Sequence, residues 1–135
     1  MKICKELEWV RDYISAVSHL IPKIKQLKKI SLRKASRHYW QHFHGLITYY
    51  DKKSFRVTLY VTYHDVVTDK IKSYSTIDIL QYLAHELSHL EHWDHTPHHK
   101  YLECAILGIF MTKLKQDGYI SEEQEEKLGN FYNKK

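Results

Sequence analysis

Three side chains in one short stretch have the types and spacing for hydrolytic chemistry. Residues 83 to 103 read LAHELSHLEHWDHTPHHKYLE, and the centre is HELSH, with His85, Glu86 and His89. On an α-helix, residues four apart share a face, so two imidazoles at that spacing can grip one metal ion. Glu86 sits beside the first ligand, where a carboxylate can reach a metal-bound water. A catalytic zinc takes three protein ligands and leaves one position open. A helix supplies two, so the third must come from chain that turns back. His95 follows His89 by six, within the helix-breaking run Asp94-His95-Thr96-Pro97, and is the preferred third ligand. His92 competes, but three ligands on one straight helix converge poorly on a point. Glu103, four residues after His99, is the other contender, and fits better as the partner that orients a ligand histidine.

The segments that must position these residues are legible as patterns. Ile77, Leu80, Leu83, Ala84, Leu87 and Leu90 form an apolar stripe, which predicts a buried helix running to about His92. Ser75 or Thr76 offers its N-cap, with Asp78 in the first turn. Thr96 and Pro97 open a second helix, about Pro97 to Gln116, which Asp117-Gly118 closes. Ser121 with Gln124 forms a capping box for a last short helix to about Phe131.

Earlier in the chain, Leu7, Val10, Ile14, Val17 and Leu20 or Ile21 step by three and four, predicting an amphipathic helix from about Lys5 to Leu20, ended by Pro22. Trp9 and Tyr13 read as packing residues. Lys29 to Lys34 reads as a short strand or the extension of a basic helix. Leu46 to Tyr50 and Phe55 to His64 are rich in β-formers and separated by a short polar turn, as in an antiparallel hairpin. Alternation in the second segment predicts a half-buried strand whose edge could hold an extended substrate. Asp65 to Tyr74 reads as a loop. His38, His42 and His44 lie near the hairpin's start without a recognisable ligand spacing, and read as surface or packing residues. The expected class is α+β in one domain, residues 1–135: an N-terminal helix, a short antiparallel sheet of two or three strands, and a helical C-terminal half.

Composition narrows the function classes. No apolar run is long enough for a transmembrane helix, and the charged start MKICKELEWVRDY lacks the apolar core of a secretory signal. Cys4 and Cys104 are too few for a disulfide framework and read as buried free thiols. A cytoplasmic compartment without membrane association fits. The net charge is +5, concentrated between Lys23 and Arg37, where seven Lys or Arg occur without an acid. Such a run is a solvated face or a contact for DNA or another polyanion.

HELSHLEHWDHTPHHKYLE resembles the zinc sites of WLM-type metallopeptidases and their YgjP-like relatives, with SprT-like proteases as broader kin. The shared pattern is HExxH, five residues, a third His, then a helix. The resemblance implies a small zincin-like domain that hydrolyses peptide bonds of a protein or peptide substrate. It makes His85, His89 and His95 the Zn2+ ligands and Glu86 the catalytic residue. In that chemistry zinc acidifies water and polarises the carbonyl, and Glu86 moves the proton to the leaving amine. Tyr101, His98 and His99 are the candidates to assist the oxyanion. Metzincins share the ligand spacing, but His92 stands where they have a turn glycine. The alternative class is a nucleic-acid-associated protease, or a nucleic-acid-binding module whose zinc site is structural or vestigial.

Overall fold

A computed structural model of the protein describes residues 1–37 and 43–118. The helix on which the histidines depend is α2, Thr76–Ser88. Ser75 caps it: its hydroxyl accepts from the Asp78 N–H at 3.1 Å, and the Asp78 carboxylate accepts from the Ser75 N–H at 3.4 Å. This reciprocal pairing satisfies N–H groups that have no partner within the helix. The predicted stripe is the buried face, with Leu80, Leu83, Ala84 and Leu87 inaccessible to solvent. The α-helix stops at Ser88, short of His92. Tighter turns continue it, with Leu90 N–H donating to the Leu87 carbonyl and Glu91 N–H to that of Ser88. Thr96 then caps α3, Pro97–Gln116, by accepting from the His99 N–H at 3.3 Å. Gly118 follows the helix at φ +78°, a conformation that costs glycine little. Ile106, Phe110 and Leu114 are the buried face of α3, which packs on α2 and on α1, Val10–Val17.

The N-terminal helix differs in kind from the expectation. Only α1 is α-helical; Lys5–Leu7 and Ser18–Leu20 are 3-10 turns, and Pro22 opens a third, Pro22–Gln26. Apolar steps of three serve a 3-10 turn as well as an α-helix, so the pattern cannot separate them. The expected residues still face inward: Leu7, Val10, Ile14, Val17 and Ile21 are buried.

The sheet corrects the expectation more deeply. It is four-stranded and mixed, not a short antiparallel one. β1, Lys2–Ile3, and β2, Leu27–Arg33, are parallel, and β2 is parallel to β4, Ser54–Tyr60. Only β3, Gly45–Asp51, is antiparallel, pairing with β4 as the predicted hairpin. The order is β1-β2-β4-β3, so β4 is central and β3 is an edge. Hence the Phe55 to Tyr60 part of the expected strand, with a neighbour on each side, offers no edge for a substrate. Its predicted half-burial also fails, because Thr58 and Tyr60 are buried along with Val57 and Leu59. Alternation specifies two faces but not what covers each, nor which strand lies alongside. The chain leaves the sheet at Val61. The expected loop contains part of a second hairpin, β5, Thr62–Asp65, with β6, Lys70–Ser73.

Buried residues from α1, β2, β4, α2 and α3 form one apolar cluster, with the helices on one side of the sheet. Among the described residues no helix is long and apolar enough to cross a membrane. Cys4 is partly buried and Cys104 exposed, so the expectation of two buried thiols fails for Cys104. The helix expected at 121–131 lies outside the described residues, as do His38 and His42.

Because α2 is held by packing and by its cap, the two contributions can be separated by urea denaturation. Leu83→Ala should cost about 2–5 kcal/mol, the range for a fully buried leucine. Ser75→Ala should cost about 1 kcal/mol.

Candidate metal centre

His85 projects from the last turn of α2, His89 is its C-cap residue, and His95 lies in the break before α3. The break folds the chain back, so the three imidazoles meet. His85 Nε2 is 3.1 Å from His95 Nε2 and 3.3 Å from His89 Nε2. The three residues form a group able to hold a metal ion, with ligand atoms within 4.8 Å of one another.

The outer nitrogens determine what the inner ones can do. His89 Nδ1 lies 3.2 Å from the His92 carbonyl, which only accepts, so that nitrogen carries the proton. His85 Nδ1 lies 2.5 Å from the Glu103 carboxylate and donates to it. In the neutral rings, both Nε2 atoms are then bare lone pairs facing each other. Burial, followed by the nearby His99, pushes the His89 pKa down, which favours its neutral form. Two bare lone pairs at 3.3 Å repel, and a shared proton or a metal ion between them relieves that repulsion. The arrangement suits a metal ion, since ligand histidines commonly donate the other ring N–H to a carboxylate or carbonyl.

His92 contributes its backbone carbonyl rather than its ring, which stacks on His98 at 5.7 Å. Glu103 sits on the far side of His85 from His89 and His95. It also accepts from Lys100 at 3.3 Å, and its pKa is lowered by His85 and Lys100 against the opposing effect of burial. His85, His99 and Glu103 form a second group of possible ligands. His99 is buried beneath the cluster, its ring 4.2 Å from that of His89. Its Nε2 donates to the His85 backbone carbonyl at 3.0 Å, and burial lowers its pKa. His99 therefore braces the end of α2. Of the other oxyanion candidates, Tyr101 is exposed and His98 pairs with His92, and neither lines the cleft beside Glu86.

That cleft has a volume of about 710 Å³ and runs between β3, α2 and α3, with Gly45, Ile47, Glu86, His95 and Trp93 among its walls. Glu86 is only 6% exposed, and its pKa is raised to about 7 by burial and then by the Glu103 charge. Gly45 makes room for it: an added Cβ would stand 3.3 Å from Glu86 Cγ, 3.2 Å from the Thr58 carbonyl oxygen and 3.0 Å from Leu59 Cδ2. His44 also lines the cleft, stacked on Tyr82 at 4.5 Å with Nδ1 2.8 Å from the Tyr74 hydroxyl. Sequence reading passed over Gly45, Trp93 and Tyr82. The one available signal was a glycine opening a strand in a chain with four glycines.

No family model, curated protein or solved structure matches the chain.

Divalent-metal affinity, measured by competition with a chromophoric chelator, should separate these roles. His85→Ala should abolish tight binding. Glu103→Gln should weaken it about 10- to 100-fold, as expected for a residue that orients a ligand. His98→Ala should leave it unchanged.

Proposed function

We propose that the protein is a zincin-type zinc endopeptidase, with His85, His89 and His95 holding the metal and Glu86 as general base. The convergence of three imidazole nitrogens beside a buried carboxylate carries this reading. Nitrogens bound tetrahedrally at about 2.0–2.1 Å from zinc lie about 3.3 Å apart. The separations of 3.1 and 3.3 Å at His85 Nε2 fit that donor set. Zinc held there supplies Lewis-acid chemistry, polarising a carbonyl and acidifying water. Glu86 takes the proton from the attacking water and returns it to the leaving nitrogen. Glu103 and the His92 carbonyl keep the ligand rings in register for this. Kinship with WLM-type, YgjP-like and SprT-like proteases belongs to the same proposal and rests on the same spacing of His85, His89 and His95.

The fold offers a place for an extended protein or peptide substrate. Tyr60 N–H bonds to the His44 carbonyl, and Gly45 pairs with Leu59. Antiparallel alternation then turns the N–H and C=O of Gly45, Ile47 and Tyr49 toward the side of β3 that pairs with no strand among the described residues. A peptide laid there gains main-chain hydrogen bonds beside Glu86.

Two variants test this. Glu86→Gln should retain one zinc per chain and lose about 10²–10⁴-fold in peptide cleavage; full activity would sink the proposal. Ile47→Pro removes an outward N–H without touching the ladder to β4. It should lower kcat/KM at least about tenfold with zinc retained, and unchanged cleavage would remove the edge-pairing part.

One observation favours a nucleic-acid-associated form of the same enzyme. Lys2, Lys29 and Arg56 are in register across β1, β2 and β4, on the face away from Ile3, Ile30 and Val57. Like charges directly opposite destabilise a sheet, and a polyanion relieves that repulsion. DNA affinity should fall steeply with salt, and Lys29→Glu with Arg56→Glu should weaken it; salt-independent or absent binding removes this branch.

A further inference from the structure

Beyond His89 the cleft wall at Trp93 adjoins two further aromatic rings, and the three form a shelf. Tyr49 and Phe55 are register partners across the β3–β4 hairpin, with ring centroids 5.1 Å apart and planes at 29°. Trp93, just past the end of α2, closes the group at 5.7 Å from Phe55 and 6.2 Å from Tyr49. It also meets the His89 ring edge-on at 6.5 Å. Phe55 packs against the core, whereas Tyr49 and Trp93 remain 65% and 52% exposed. Two large rings are thus held in place by stacking while their outer faces stay open.

The register of β3 relates this shelf to the metal centre. Gly45, Ile47 and Tyr49 alternate onto one face: Gly45 beside Glu86, Ile47 in the cleft, Tyr49 on the shelf. A peptide paired with this edge places every second side chain on the same side, about 7 Å apart. The Trp93 ring stands 6.5 Å from that of His89, about one such step from the histidine cluster. We propose that Trp93, backed by Tyr49 and Phe55, selects substrates carrying an aromatic or large aliphatic side chain two residues from the cleaved bond. This rests on the peptidase reading and names its substrate class. Offset or edge-on contact with a substrate ring is favourable, and an acidic or small polar side chain gains nothing there. A second copy of the chain is a poorer occupant. A large aromatic side chain buries roughly 150–250 Å², so two half-open rings fall well short of the roughly 800 Å² per partner of a stable interface.

The test uses matched peptides that differ only in Phe, Leu, Ser or Asp at that position. In the wild type, kcat/KM should favour Phe and Leu over Ser by about 10- to 100-fold. Trp93→Ala should reduce that ratio below about threefold, and Tyr49→Ala should reduce it in part. Calorimetry on zinc-loaded Glu86→Gln provides a readout without turnover. The Phe peptide should bind at least about tenfold tighter than the Ser peptide, and Trp93→Ala in that background should erase the difference. Equal cleavage and equal binding of all four peptides would overturn the shelf and leave the peptidase reading intact. A binding preference that depends on Trp93, without any cleavage by the wild type, would retain the shelf as a peptide site and overturn the peptidase reading. A concentration-dependent dimer that Tyr49→Ala dissolves would overturn the shelf in favour of self-association.

Discussion

His85 Nε2 stands 3.3 Å from His89 Nε2 and 3.1 Å from His95 Nε2, a spacing that suits a shared proton or a metal ion, and the rest of the site is built to hold it. The three rings are held from outside the cluster. Glu103 fixes the proton on His85 Nδ1, the His92 carbonyl fixes it on His89 Nδ1, and His99 braces the backbone carbonyl of His85. Each brace comes from a different place: α3, the turn after α2, and the first turn of α3. The site is therefore a property of the α2–break–α3 unit rather than of one helix.

That unit is anchored by the sheet. α2 lays Leu80, Leu83 and Leu87 into the common core, which leaves Glu86 nearly enclosed at the junction with β3. Enclosure raises the carboxyl pKa to about 7, since the charged form loses water and faces Glu103. A buried carboxylate costs stability, and a carboxyl group held near neutrality in a cleft is the kind of group found at functional sites. Gly45 is what permits β3 to approach so closely, bringing the edge strand of the sheet alongside the helix that carries His85 and Glu86.

The same approach makes one continuous surface of the cleft. The imidazoles of His85, His89 and His95, the buried Glu86 carboxylate, Gly45 and Ile47 of β3, and Trp93 all line it. On the face of the sheet away from Ile3, Ile30 and Val57, Lys2, Lys29 and Arg56 form a separate, electrostatically distinct row.

Much of the helical half was legible without coordinates. Ser75, Thr96, Pro97 and Gly118 are local signals whose physics acts within a turn, and the stripe from Ile77 to Leu90 needs only the helical period. Those signals also placed the break that brings His95 back, and the spacing of His99 and Glu103 marked the face that meets His85. The sheet was not legible in this way. Parallel pairing of β1, β2 and β4 joins segments far apart in sequence, and a two-residue strand carries no periodicity at all. Alternation in Phe55 to Tyr60 could not reveal that Thr58 and Tyr60 would be covered on the second face, nor that β4 would lie in the middle of the sheet, so the edge it pointed to is already paired. The sequence by itself determined which residues could ligate a metal, because their spacing is a property of one helix and its end. Only the tertiary structure decided which histidine ring turns inward, which carboxylate orients and which is buried, and which strand edge stays open. Those outcomes depend on contacts between elements that no local pattern encodes.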